Sequence, residues 1–114
     1  MSVIEPVRVP GVADKIIDEF IGHASTGSKD VSIAKMKSPA GWSEPGQRPT
    51  FDEYTIVLSG EVVVTTESGE FMIGPNQAYH ARAGDWIRYS TPNGAEYIAV
   101  CNPAFSLETV NRDG

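Results

Sequence analysis

Short alternating segments separated by turn residues fill the chain from residue 30 onward, and they limit the possible folds more than any other feature. Runs rich in Val, Ile, Thr, Tyr and Phe follow one another, and clusters of Gly, Pro, Asn or Asp interrupt them about every 8–12 residues. This pattern predicts about seven or eight short strands. Strands of this length and spacing form a closed barrel or a sandwich.

The predicted strands cover residues 31–37, 51–58, 62–66, 71–73, 77–82, 86–90 and 96–101. The segment before them differs, because Val12, Ile16, Ile17, Phe20 and Ile21 recur at helical spacing between Pro10-Gly11 and Gly22. We therefore expect a short amphipathic N-terminal helix within an arm of residues 1–29. A β-barrel over residues 30–103 follows, and then a C-terminal tail over residues 104–114.

Composition excludes several classes of function. The 114 residues suffice for one domain, and 15 acidic against 9 basic residues give a net charge of −6. Such a surface repels phosphate backbones, so we expect no nucleic-acid partner. No apolar run approaches the about 18 residues of a membrane span, and no signal peptide is recognisable, so we expect no membrane partner. Cys101 is the single cysteine, which indicates a reducing, cytoplasmic location.

Two segments carry a resemblance to a known family. Residues 46–61 (GQRPTFDEYTIVLSGE) place Glu53 seven residues before Gly60, and residues 82–92 (RAGDWIRYSTP) place Ala83-Gly84 at a turn before a strand. Together they resemble the two motifs of the cupin superfamily, and in particular the single-domain cupins of ethanolamine utilisation. The resemblance covers about residues 30–103. It implies an all-β, cupin-type jelly-roll β-barrel, to which we add the short N-terminal helix.

The resemblance also implies where metal ligands would lie, and the chain lacks them. The paired histidines of a metal-dependent cupin fall on Gln47 and Pro49, or on Gly46 and Arg48 after a one-residue shift, and the third falls near Ile87. The whole chain has two histidines. Imidazole is the ligand that holds Fe, Mn, Ni or Zn at such sites. We therefore expect no metal of the usual kind and no cofactor.

Glu53 and His80 are the candidate catalytic residues. In the register of the family, the Glu53 side chain points into the barrel, where it could anchor a ligand or act as a general base. The alternative is a glutamate that pairs with an arginine near the barrel mouth. His80 could face inward and meet Glu53 as an acid–base partner. The alternative is a half-exposed histidine on the barrel surface.

Five further residues are candidates for ligand binding. Gln47 could donate to and accept from a polar ligand beside Glu53. A guanidinium at the barrel mouth could bind a carboxylate or phosphate, and hydroxyl groups could line the cavity. The candidates are Gln47, Arg48, Arg88, Tyr89 and Tyr97. The alternatives are a loop position for Gln47, surface ion pairs for the arginines and core packing for the tyrosines. Glu44 is expected at the surface.

Three functional hypotheses remain open. The first is a cupin that binds a small polar or anionic metabolite in a cavity centred on Glu53, without a catalytic metal. The second is an enzyme of the isomerase, lyase or epimerase type, using metal-free acid–base chemistry or an atypical metal set such as Glu53, Gln47 and His80. The third is an assembly role as a homodimer, with Ile33, Val62 and Val64 as outward apolar positions.

Overall fold

Ten β-strands make up the regular structure of residues 2–113, the part of the chain that the computed structural model describes. In chain order they are β1 (Val7–Val9), β2 (Ile16–Ile21), β3 (Ser32–Ser38), β4 (Trp42–Ser43), β5 (Asp52–Gly60), β6 (Val62–Thr66), β7 (Gly69–Ile73), β8 (Ala78–Ala81), β9 (Ile87–Thr91) and β10 (Ala95–Asn102). The all-β class is therefore confirmed. Each predicted strand after residue 30 is present, with bounds shifted by at most two residues.

The strands form two antiparallel sheets. The larger sheet has six strands in the order β1-β2-β3-β10-β5-β8, and the smaller has four in the order β4-β9-β6-β7. The apolar core is formed by buried side chains from both sheets, among them Trp42, Val57, Ile87 and Tyr97. A second, smaller cluster joins Phe51 and Cys101 to Val110 of the C-terminal tail.

Strand β5 shows how the alternating sequence orients the site. Its residues Glu53, Thr55 and Val57 are buried, whereas Tyr54 and Ile56 between them are exposed. This is the period of two that a strand imposes when one of its faces covers a core. Gly60 ends the strand at φ +75, and a side chain there would collide with the backbone of Gly94 and Ala95.

The predicted N-terminal helix is wrong. A turn with positive φ at Ala13 and Asp14 precedes β2, and β2 pairs with β3 in the larger sheet. Three of the six residues of β2 are isoleucines, and their branched side chains suit a strand better than a helix. The apolar spacing fits both structures over so few residues, and pairing with β3 decides between them.

The proposed outward positions in β6 are also wrong. Val62 and Val64 are fully buried in the core, and only Ile33 is partly exposed. The register with β9 sets Val64 against Tyr89, another buried residue. A shift of one residue in the assumed register reverses the face of every side chain on a strand.

Among residues 2–113 the structure contains no helix with the length and apolarity needed to cross a membrane.

Candidate functional site

A cavity of about 260 Å³ lies against the inner face of the larger sheet. Strands β2, β3, β5 and β10 contribute its wall, and two irregular segments complete its rim. We call residues 10–15 the N-terminal segment and residues 105–112 the C-terminal segment. Because Leu107 of the C-terminal segment is 77% exposed, this end of the cavity opens toward solvent.

Glu53 lies on the wall of this cavity, and its side chain is 9% exposed. One carboxylate oxygen, Oε2, accepts a hydrogen bond from the Cys101 thiol at 3.5 Å. The other, Oε1, has no hydrogen-bond partner among the described residues. A thiol is a weak donor, so the Glu53 carboxylate is only partly satisfied within the chain.

Glu44 is a second buried carboxylate in the same cavity. It lies just after β4 and is 6% exposed, so its expected surface position is wrong. Its Oε2 is 3.8 Å from Lys15 Nζ and 4.0 Å from Arg112 Nη2. Burial raises the pKa of the Glu44 carboxyl, the Lys15 charge opposes this rise, and the Glu53 charge reinforces it.

Lys15 is held in place by Trp42. The Lys15 ammonium lies 4.6 Å from the centroid of the Trp42 ring, and the Trp42 indole donates to the Val12 carbonyl at 2.6 Å. The cation–π contact and the hydrogen bond together hold the N-terminal segment against Trp42 at the rim of the cavity. This arrangement explains why a lysine close to Glu44 can be only 8% exposed.

Gln47 connects the cavity to both the smaller sheet and the tail. Its backbone forms bridges with Ile87 and with Arg112, and its side chain is 4% exposed. The backbone N–H groups of Gln47 and Ile87 each donate a hydrogen bond to the carbonyl of the other, with N···O distances of 2.9 and 2.8 Å. Gln47 lines the cavity, and its side-chain oxygen is buried without a hydrogen-bond partner among residues 2–113.

Tyr89 and Tyr97 lie deeper, in a small space of about 20 Å³ bounded also by Glu44 and Glu53. The Tyr97 hydroxyl shares a hydrogen bond of 2.8 Å with Ser38, whereas the Tyr89 hydroxyl has no partner among the described residues. Burial, followed by the Glu53 charge, raises the pKa of Tyr89. Burial also raises the pKa of Tyr97 well above its usual value. Both phenols therefore stay neutral and can only donate or accept hydrogen bonds.

The proposed pairing of His80 with Glu53 is not formed. In the register of β5 with β8, Glu53 faces Ala81 and His80 faces Tyr54, so His80 lies on the outer side of the sheet. There its ring stacks on Tyr54 at 4.3 Å, and Nε2 lies 3.7 Å from Asp52 Oδ2. His80 can therefore neither exchange protons with Glu53 nor complete an atypical metal set with it.

The two predicted arginines also lie outside the cavity. Arg48 is half-exposed, donates to the Gly84 carbonyl at 2.9 Å and lies 3.4 Å from Glu67. Arg88 is exposed on β9 between two buried neighbours. The cations that do lie at the cavity are Lys15 and Arg112. Neither is a candidate from the sequence alone, because Lys15 lies within the predicted N-terminal helix and Arg112 lies within the C-terminal tail.

The donor set does not fit the metal site that metal-dependent cupins carry. At the equivalent positions Gln47 offers an amide, Pro49 offers no side-chain ligand, and Ile87 is a core residue. Within residues 2–113 no three His, Cys, Asp or Glu side chains converge in an arrangement that could hold a metal ion. Carboxylates paired with cations, as at Glu44, are poor ligands for a further cation.

The two facing sheets and the acidic internal cavity define a small β-sandwich that encloses a ligand-sized space. This is the cupin fold. The chain superimposes on a cupin superfamily protein from Desulfitobacterium hafniense with a TM-score of 0.68, 14% identity and 82% coverage of both chains. For the EutQ protein of Clostridium difficile the TM-score is 0.69, at 14% identity over 93% of this chain and 96% of that one.

Two further comparisons concern longer proteins. Oxalate decarboxylase of Bacillus subtilis matches with a TM-score of 0.76 at 16% identity, over 98% of this chain and 33% of that one. A curated relative, the endoribonuclease YbeY of Myxococcus xanthus, is 36% identical over 107 residues. The match covers 92% of this chain but 36% of that protein, so the chain spans about a third of its relative's length. No known family profile matches the chain.

Proposed function

We propose that this chain binds a small polar or anionic metabolite in the cavity centred on Glu53. The observation that supports the proposal best is the unsatisfied Glu53 carboxylate, whose Oε1 atom has no partner among the described residues. A buried acceptor without a donor costs about 1–3 kcal/mol, and a ligand that supplies the donor recovers this cost. A cavity of about 260 Å³ is close to the range of small-ligand pockets.

The mixed character of the wall also supports a binding role. Polar groups from Glu44, Gln47 and Glu53 converge at one part of the cavity, and apolar side chains such as Ile17 and Met36 cover much of the rest. Ligand sites commonly combine an apolar wall with a few polar groups that fix orientation.

Thermal stability in the presence of metabolites tests the proposal. A ligand that binds only the folded chain raises the melting temperature, and the rise continues with the logarithm of the ligand concentration above Kd. We expect a shift with at least one compound from a panel of small carboxylates, phosphates, sugars and amino acids. The shift should disappear in Glu53→Gln, which keeps the shape of the side chain and removes its charge. A panel without any shift contradicts the proposal.

An enzyme of the isomerase, lyase or epimerase type is the second candidate. The observation that favours it is the presence of two neighbouring carboxyls in different surroundings, since burial raises the pKa of Glu44 beside Glu53. Such pairs can divide acid and base roles. Turnover of keto acids or sugars that is lost in Glu53→Gln would support this candidate. Binding without any turnover favours the first.

RNA is not included among the proposed ligands. The curated relative is an endoribonuclease by name, but this chain corresponds to about a third of it and carries a net charge of −6. Such a charge opposes binding of a phosphate backbone. We expect no change in the anisotropy of a labelled RNA on addition of the chain.

A reducing, cytoplasmic location is part of the proposal, supported by the single buried Cys101.

We also propose a homodimer, formed through the outer face of β5. Tyr54, Ile56 and Leu58 are 40, 41 and 49% exposed on that face, and we call these three side chains the outer patch. Ile56 lies opposite Ile98 of β10, which extends the apolar surface. The Lys35–Glu96 ion pair, on the neighbouring strands β3 and β10, gives the face both signs of charge. A two-fold axis can then place each charge against its opposite.

Light scattering after size-exclusion chromatography tests the homodimer. We expect twice the mass of the chain for the native protein and a monomer for Ile56→Lys. Met72→Lys, a change at an exposed residue of β7 in the smaller sheet, should leave the dimer intact. A native monomer at high concentration contradicts the proposed homodimer and leaves the proposed ligand cavity unaffected.

A further inference from the structure

Three residues that line the cavity carry buried, unsatisfied groups of both polarities, and together they restrict the chemistry of a complementary ligand. The acceptors are Glu53 Oε1 and the side-chain oxygen of Gln47, and the donor is Arg112 Nε. All three atoms are buried and without a hydrogen-bond partner in residues 2–113. A ligand that satisfies only acceptors, or only donors, leaves the others unpaired at a cost in free energy.

The two cations beside Glu44 keep donors available. Lys15 Nζ and Arg112 Nη2 lie 3.8 and 4.0 Å from Glu44 Oε2, beyond the range of a hydrogen bond. They balance the Glu44 charge without using their N–H groups on it. A second anionic group placed near Arg112 and Lys15 could therefore accept those hydrogen bonds.

Three acidic and two basic side chains line the cavity. The buried carboxylates of Glu44 and Glu53 face the cations of Lys15 and Arg112. A further acid, Glu19, is partly buried, and its Oε2 accepts hydrogen bonds from backbone N–H groups at 3.0 and 2.9 Å. The lining therefore carries one net negative charge, so an anionic ligand would add to this excess, and a ligand with a positive group alone would leave the Arg112 donor without an acceptor. A ligand with one charge of each sign avoids both costs.

We infer that the cavity binds a small zwitterion of the amino-acid type. Its ammonium group is held by Glu53 and Gln47, and its carboxylate is held by Arg112 and Lys15. The hydrocarbon part contacts the apolar wall formed by Ile17, Ala34, Met36 and Ala99. This inference rests on the proposed function and narrows its ligand to one chemical class.

Calorimetry with ligands of matched length tests the inference on the full chain. The probes are 5-aminovalerate and the α-amino acid norvaline as zwitterions, valerate as the acid alone, and pentylamine as the amine alone. All four share a five-carbon skeleton and differ in their charged groups. We expect at least one zwitterion to bind tenfold or more tightly than valerate and pentylamine.

Two substitutions test the contacts to the ammonium end and to the carboxylate end of the ligand independently. In Glu53→Gln the preference for the zwitterion over valerate should fall at least fivefold, because the ammonium loses its counter-charge. In Arg112→Gln the preference over pentylamine should fall by a similar factor. His80→Gln, on the outer side of the same sheet, should keep both preferences. The comparison among ligands in the native chain remains informative even if a variant fails to fold.

The failure of the inference can be distinguished from the failure of the proposed function. If valerate or pentylamine binds as tightly as both zwitterions, the cavity has a different ligand class and the inference is wrong. If none of the four binds but a metabolite that is not a zwitterion does so in a Glu53-dependent manner, the inference is again wrong and the binding function stands. If no compound of either panel binds, both are wrong.

Discussion

Cys101 and Glu53 are direct neighbours across β10 and β5, and the Cys101 thiol donates a hydrogen bond to the Glu53 carboxylate. Burial, followed by the Glu53 charge, raises the pKa of the thiol far above its usual value. The thiol therefore stays protonated and is a poor nucleophile. At the same time the thiol donates to Oε2 of Glu53, so it partly satisfies this buried carboxylate.

The first prediction concerns the reactivity of Cys101. We expect an aromatic disulfide reagent to modify the native chain at pH 8 at least a hundredfold more slowly than the urea-unfolded chain, because the native thiol is buried and protonated. The release of the coloured thiolate measures the rate. Equal rates in the two states would show that the thiol is accessible.

The second prediction concerns stability at alkaline pH. The folded chain keeps protons on Cys101, Tyr89 and Tyr97, whose pKa values burial raises. The unfolded chain releases them above about pH 8.5 for the thiol and about pH 10 for the phenols. Because the native state then binds more protons, the free energy of unfolding falls as pH rises through this window.

Urea unfolding between pH 8 and 11 measures this fall. In Cys101→Ala the slope between pH 8.5 and 10 should be shallower, because one of the groups is gone. Tyr97→Phe should change the slope only above about pH 10, where the unfolded phenol ionises. A flat profile in the native chain would contradict the assigned burial of these groups.

The third prediction concerns the buried pair of Lys15 and Glu44. Glu44→Gln leaves the Lys15 charge buried without its nearest partner, and we expect a loss of about 2–3 kcal/mol in the free energy of unfolding. Lys15→Met should cause a similar loss. The double variant should be closer to the native value than either single variant, because it buries neither charge. Additive losses in urea unfolding would exclude a coupled pair.

The fourth prediction concerns Gly46, which lies between Glu44 and Gln47. A methyl group at this position would collide with the Trp86 indole, so we expect Gly46→Ala to destabilise the chain by about 1–3 kcal/mol. Gly74→Ala is the matched control, since its nearest neighbour there is a flexible Gln77 side-chain atom at 3.6 Å. Thermal unfolding should separate the two variants, and equal melting temperatures would be contrary to this packing.

The β-sandwich could be predicted from the sequence because most of its strands show a clear alternation of apolar and polar residues and are bounded by turn residues close in the chain. The alternation of apolar and polar residues in β5 predicts both where the strand lies and that the Glu53 side chain is on its buried face. The N-terminal strand could not be predicted in the same way. Six residues of β2 offer apolar positions that fit a helix or a strand, and the choice depends on β3, more than ten residues further along the chain.

The cavity was only partly predictable for a related reason. Glu53 and Gln47 lie within the cupin-like motif, whereas Lys15 and Arg112 come from opposite ends of the chain and meet only at Glu44. His80 illustrates the sensitivity of strands to register. It lies one residue from Ala81, the neighbour of Glu53, and that single step puts it on the other side of the sheet.

The position of Glu44 between the two terminal segments has a consequence for ligand exchange. Lys15 belongs to one segment and Arg112 to the other, so any widening of the rim draws at least one cation away from the carboxylate. Dissolved salt screens the buried Lys15–Glu44 pair little while the rim is closed, but it stabilises the separated charges once they are exposed to water. The rim should therefore open more often as the salt concentration rises, and both entry and escape of a bound molecule should become faster together.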